Sequence, residues 1–210
     1  MAVSSPRDVF INCPFDAEFA QSFDALVFAV LACGFRARCA REMDDGSQTR
    51  IDKLYGIVEQ SRFGIHDLSR TELDKVNNLP RFNMPLELGL FLGAKRYGDE
   101  PQKKKRCLIL DIEAHRFQKF ISDLAGMDIT AHGGNARTIV ACTRNWLVTV
   151  SKRKTIPAPA HVLSSYDRFV EALPQIAANA GLDPTKLVFP DFERLVLAWV
   201  QAERLAGALP

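Results

Sequence analysis

The sequence predicts an α/β fold: an open, all-parallel sheet of five strands with helices on both faces, followed by a helical C-terminal extension. Two observations lead there. Short β-branched and aromatic runs alternate with longer segments of helical period, and such alternation builds parallel sheets. The runs are also separated by crossovers of a dozen or more residues, which parallel pairing requires.

The elements follow in order. "DVFINC" (8–13) reads as a buried strand stopped by Pro14. From Ala17 to Cys33 the residues Phe19, Phe23, Leu26, Val27, Val30 and Leu31 recur at helical spacing, and Gly34 supplies the stop. "FRARCA" (35–40) is the second strand, followed by the polar loop "REMDDGSQ" and a helix carrying Ile51, Leu54, Ile57 and Val58 on one face. "RFGIHDL" (62–68) is the third strand, and "RTELDKVNNLP" is a connection longer than the usual two to six residues. A helix from about Met84 to Lys95 comes next, then a charged loop, then "RCLILDI" (106–112), the clearest buried strand. A helix at His115–Leu124, a short strand near Met127–Thr130 and a helix at Asn135–Val150 complete the α/β domain, residues 1–150. This is a flavodoxin-like layout. Residues 151–210 hold the basic, proline-containing connector "SKRKTIPAPAH" and two amphipathic helices, about Ser164–Ala180 and Pro190–Ala206.

Composition narrows the function classes. Across 210 residues, 47% are hydrophobic and 25% charged, as in ordinary globular proteins, and the net charge of +2 is too small to point to nucleic acid. Five dispersed cysteines fit a reducing compartment, so a cytoplasmic location is expected. No leader-like start and no run of some 18 apolar residues is visible, so no membrane partner is expected. There is no GxGxxG, no GxxxxGK[ST] and no Cys/His cluster at zinc spacing, so neither a cofactor nor a metal is expected. The apolar stripes of the extension, such as Phe169, Val170, Leu173 and Ile176, are broad enough to cover the core or to join subunits of a homo-oligomer.

In open α/β sheets, ligands bind beyond the carboxyl ends of the strands, where strand order reverses. That rule gathers Cys13, Pro14, Phe15 and Asp16 after the first strand, "AREMDD" (40–45) with Arg41 after the second, and His66 and Asp67 at the end of the third. It adds the first turn of the helix in "RFNMPLELGLFLGAKRYG" (81–98). Asn83 is expected to cap that helix, with Pro85 tolerated in its first turn. Glu87 then falls one turn inside, among leucines, where a carboxylate needs either a partner such as Arg81 or Arg50 or a polar cavity.

Taken together, "VFINCPFD", "GIHDLSR" and "NMPLELGLFLGAK" resemble the nucleoside 2-deoxyribosyltransferase-like families and the related Toll/interleukin-1 receptor (TIR) domains, over roughly residues 8–150. Both families use a Glu on the helix after the third strand. In the transferases it attacks the anomeric carbon; in enzymatic TIR domains it serves cleavage of the nicotinamide–ribose bond of NAD. Only Glu87 matches that position. Where transferases carry Asp-x-Gly-Thr, this chain reads Arg81-Phe82-Asn83-Met84. The planar paired donors of an arginine suit phosphate, so a nucleotide or dinucleotide is expected rather than a nucleoside.

The resemblance therefore implies an N-glycosidic bond hydrolase acting on NAD or a related nucleotide, with Glu87 as the catalytic carboxylate. Bacterial proteins of this kind often serve as antiphage defence effectors. Asp67 would orient a ribose hydroxyl or help protonate the leaving base, its other role being to cap the following turn. Cys13, Pro14, Phe15, Asp16, Arg41, His66, Arg81 and Asn83 would bind substrate, Phe15 by stacking on a base. The alternative is a non-catalytic module that binds a nucleotide signal or assembles with partners.

Overall fold

The computed structural model describes residues 5–42, 45–73 and 78–209. Its sheet holds β1 (Ser5–Asn12), β2 (Arg36–Arg38), β3 (Ser61–Asp67), β4 (Arg106–Asp111) and β5 (Ile129–Ala131) in the order β2-β1-β3-β4-β5, all parallel. This is the expected flavodoxin-like fold. The period-two alternation of the strands explains why both faces are covered. Val9, Ile11, Phe63, Ile65, Leu108 and Leu110 point to one layer, built on α1 (Ala20–Ala32) and α5 (Ala136–Ser151). Phe10 and Ile109 point to the other, built on α2 (Arg50–Gln60) and α3 (Asn83–Tyr97).

Gly64 governs how closely α3 lies on the sheet. A Cβ at this position would come within 2.9 Å of the Phe91 ring and 2.7 Å of the His66 imidazole. Its absence lets Phe91, fully buried, sit directly over β3. Asn12, at the end of β1, donates from Nδ2 to Met84 O at 2.9 Å and lies 3.0 Å from His66 Nδ1. The first turn of α3 is thereby fixed relative to the carboxyl ends of β1 and β3.

The two helices of the C-terminal segment pack on the α/β layer. α6 (Pro159–Asn179) and α7 (Phe189–Leu205) place Val162, Phe169, Phe192, Val196 and Val200 in the same core as α1 and α5. Trp199 donates from Nε1 to Ser165 Oγ at 3.1 Å, joining the two helices. Among the described residues, no helix is long and apolar enough to cross a membrane.

Several boundaries differ from expectation. The helix expected at His115–Leu124 is two 3-10 turns, Arg116–Lys119 and Ser122–Leu124, because His115 has a left-handed backbone (φ 62°) and Ile121 is non-helical. α6 starts at Pro159 rather than Ser164, since proline fits a first helical turn where its missing N–H has no partner to lose. The loop after α3 contains a short helix, α4 (Glu100–Lys103), capped by Asp99. Asn83 is the first residue of α3, and Phe82 before it has helical backbone, so the expected asparagine cap is absent. Parts of the loops at 40–45 and 70–80, residues 43–44 and 74–77, lie outside the described residues.

Candidate active site

After β1 the chain turns toward the α1 layer, and after β3 toward the α3 layer, so the strand-order reversal falls between β1 and β3. A cleft of about 370 Å³ opens there at the carboxyl ends of the strands. Cys13, Pro14, Phe15 and Asp16 form one wall, Arg50 at the start of α2 another, and Arg81, Asn83, Met84 and Glu87 the third.

Glu87 occupies a core position of its helix. The buried residues of α3 are Met84, Glu87, Leu88 and Phe91, spaced i, i+3, i+4, i+7, so the carboxylate replaces one apolar side chain in the stripe that meets the sheet. It is only 6% exposed. It makes no hydrogen bond or ion pair with any described residue. Loss of hydration raises its pKa from 4.5 to about 7, against the partial opposing effect of the Arg50 guanidinium. Arg81 is not its partner: Arg81 Nη1 lies 2.6 Å from Asp16 Oδ2.

The same Arg81–Asp16 pair also borders a larger cleft of about 710 Å³, lined further by Ser69, Arg70, Ile112 and His132. At its floor is an arrangement the sequence did not show. His132, just after β5, places Nε2 3.1 Å from Asp67 Oδ2 and 2.8 Å from Ser69 Oγ. Asp67 Oδ1 accepts from the Ser69 amide at 2.9 Å, the turn-capping geometry. This resembles a Ser-His-Asp triad in composition but not in wiring. His132 Nδ1 accepts from the Gly134 amide at 3.0 Å, so the neutral ring carries its proton on Nε2, facing both Asp67 and Ser69. A general base for Ser69 needs a lone pair there, with the Asp on the other nitrogen. The group is therefore a positioning network.

Asp67 is fully buried and borders neither cleft, meeting them through Ser69 and His132. The neighbouring Asp111, at the end of β4, is also fully buried; its Oδ1 accepts from the Ile112 amide at 2.7 Å and from Arg116 Nη2 at 2.7 Å. Burial raises the Asp111 pKa, with Arg116 opposing and Asp67 reinforcing.

The other expected site residues divide. Cys13, Pro14, Asp16, Arg81 and Asn83 line the Glu87 cleft, and burial holds the Cys13 thiol well above its ordinary pKa, an unreactive state. Phe15 reaches that cleft too, yet its ring is already held edge-on by Phe23 at 5.3 Å and by the Arg41 guanidinium at 5.2 Å. Arg41 lines a separate hollow under the α6–α7 loop, beside Asp24. His66 faces the α3 layer between Phe10 and Phe91, fully buried, its pKa lowered to about 3 by loss of hydration and by nearby Lys105. It borders none of the clefts described here.

No protein-family model, curated protein or solved structure matches this chain.

Proposed function

We propose that the chain is an N-glycosidic bond hydrolase acting on NAD or a related nucleotide, with Glu87 as the catalytic carboxylate. The observation that carries this reading is a carboxylate on the apolar stripe of α3, unpartnered among the described residues, bordering a cleft at the strand-order reversal. A charge in that setting destabilises the resting fold, and such groups concentrate where chemistry needs them. The resemblance of the three sequence segments to the deoxyribosyltransferase-like and TIR-like families agrees with it.

The chemistry follows from what the cleft holds. Breaking the bond from the anomeric carbon to the base nitrogen builds positive charge on the sugar, and ionised Glu87 stabilises that cation or captures it as an ester that water then opens. The base leaves with the bonding electron pair. Asp16, engaged by Arg81, and Asp67, buried behind Ser69 and His132, are both poorly placed to protonate a departing base. A leaving group already cationic on its glycosidic nitrogen, as in NAD, departs as a neutral molecule without a proton, which favours pyridinium nucleotides over purine nucleotides. Arg50 and Arg81 supply guanidiniums for phosphate, and the adjoining larger cleft offers room for the second half of a dinucleotide.

Incubation with NAD and with nucleoside monophosphates, followed by chromatography, tests the reading. Release of nicotinamide is expected, falling at least about a thousandfold in Glu87→Gln. Absence of product from every substrate, or undiminished turnover in the variant, would overturn it. Thermal stabilisation by a nucleotide that stays chemically intact would instead support the non-catalytic binding module.

A further inference from the structure

The opposite end of the sheet carries a further concavity, of about 590 Å³, formed where the start of β1, the end of α1, the α5–α6 connection and the end of α7 meet. Arg7, Arg153, Lys154 and Arg204 line it, with no acidic residue among the described lining residues. No carboxylate pairs with any of the four among the described residues.

Two of these cations are fixed in place. Arg153 Nη1 donates to Gly34 O at 3.2 Å and Nη2 to Thr155 Oγ1 at 3.3 Å, while its guanidinium lies 5.1 Å from the Phe35 ring centre. Arg204 Nη2 donates to Ala32 O at 3.3 Å. The two guanidiniums converge over Gly34: a Cβ placed there would lie 3.6 Å from Arg153 Nη2 and 3.7 Å from Arg204 Nη2. The carbonyls at the end of α1 compensate only in part, since a helix terminus supplies about half a negative charge against four cations. Among the described residues, most of the guanidinium N–H donors of Arg153 and Arg204 have no acceptor, and neither do the side chains of Arg7 and Lys154.

We propose that this cleft binds a chain of two or more phosphates. Converging guanidiniums, pre-set by their own hydrogen bonds, suit paired phosphate oxygens, and the spread of four charges around one hollow suits a linked polyanion over a single phosphate. Among the described residues, no aromatic side chain lines the cleft, so the proposed ligand is one recognised through its phosphates. The inference rests on this end of the molecule alone and is independent of the role of Glu87.

Isothermal titration of the full chain with tripolyphosphate, pyrophosphate and orthophosphate at about 150 mM salt tests it. Affinity is expected to fall in that order, and the exposed pair Arg7→Glu/Lys154→Glu is expected to weaken tripolyphosphate at least roughly tenfold with the melting temperature kept. Circular dichroism establishes that the variant is folded. Absence of tripolyphosphate binding would overturn the proposal. So would binding unchanged in that variant but lost in Arg50→Glu/Arg81→Glu, which would place the anion at the Glu87 cleft. Tighter binding of a single-stranded oligonucleotide than of tripolyphosphate would also overturn it, in favour of a nucleic-acid surface.

Discussion

Glu87 and Asp111 are both carboxylates withdrawn from water near the carboxyl ends of the strands, yet the chain treats them differently. Asp111 accepts from a backbone amide and from two nitrogens of Arg116, and Arg116 in turn donates to Leu68 O, so the aspartate joins the loops after β3 and β4. Asp67 beside it is held by the Ser69 amide and His132. Glu87 has no such partner among the described residues, and an open cleft lies against it. Burial is thus common to both acids, and they differ in dedicated donors: Asp111 Oδ1 accepts from three, while its Oδ2 is buried without a hydrogen-bond partner among the described residues. Burial raises the pKa of both; direct bonds from Arg116 and the Ile112 amide oppose the rise at Asp111, whereas at Glu87 the opposing influence is the Arg50 charge.

The largest effect that could break this contrast is at Asp111. Asp111→Ala leaves Arg116, itself mostly buried, without its carboxylate, and a loss of about 3 kcal/mol in denaturant unfolding is expected. Glu87→Gln should act in the opposite direction. The glutamate keeps its proton in the folded state up to about 7, while the unfolded chain releases it near 4.5. Its contribution to stability is thus fully present below about 4.5 and is lost as the pH rises through about 7. The variant, having no charge to bury, should match the wild type near pH 4 and exceed it by about 2 kcal/mol near pH 9, as urea unfolding at both pH values would show.

Smaller changes sharpen the same comparison. Ser69→Ala removes one partner of His132 while leaving the Ser69 amide on Asp67, so a cost of about 1 kcal/mol in unfolding is expected. Arg50→Ala should leave stability nearly untouched. It removes the one nearby cation that favours ionised Glu87, so the rising limb of the pH–rate profile for nicotinamide release moves to higher pH. A rate that instead falls as the pH rises through 7 would assign Glu87 to proton donation.

The parallel sheet was legible because each strand is a short apolar run between helical periods, and burial of both strand faces is written directly into that pattern. The position of Glu87 was legible as a carboxylate one turn into an apolar helix; that it shares a buried stripe with Met84, Leu88 and Phe91, while Leu86 is exposed, is set by the packing of the helix on the sheet. What escaped the sequence was long-range or depended on backbone conformation. The link from Asp67 to His132 joins residues in different strand–loop units, and nothing local marks His132 as its partner. The Arg81–Asp16 pair likewise depends on tertiary approach, so Arg81 read as a free phosphate ligand or a partner for Glu87. His115 broke an otherwise helical pattern through a left-handed backbone, uncommon for any residue but glycine and not marked by the sequence. Phe15 and His66 were legible as residues near the strand ends, but not as rings already engaged, by Arg41 and Phe23 in one case and by Phe10 and Phe91 in the other.

The contrast between partnered and unpartnered carboxylates is tested most directly by titrating Glu87 itself. Carbon-13 NMR of glutamate-labelled protein, with Glu87→Gln to assign the signal, reads its side-chain carboxyl across the pH range, free and with NAD added. A midpoint at about 7 that moves when NAD is present is the predicted result. Titration at the ordinary 4.5, or a signal indifferent to the nucleotide, would contradict the account.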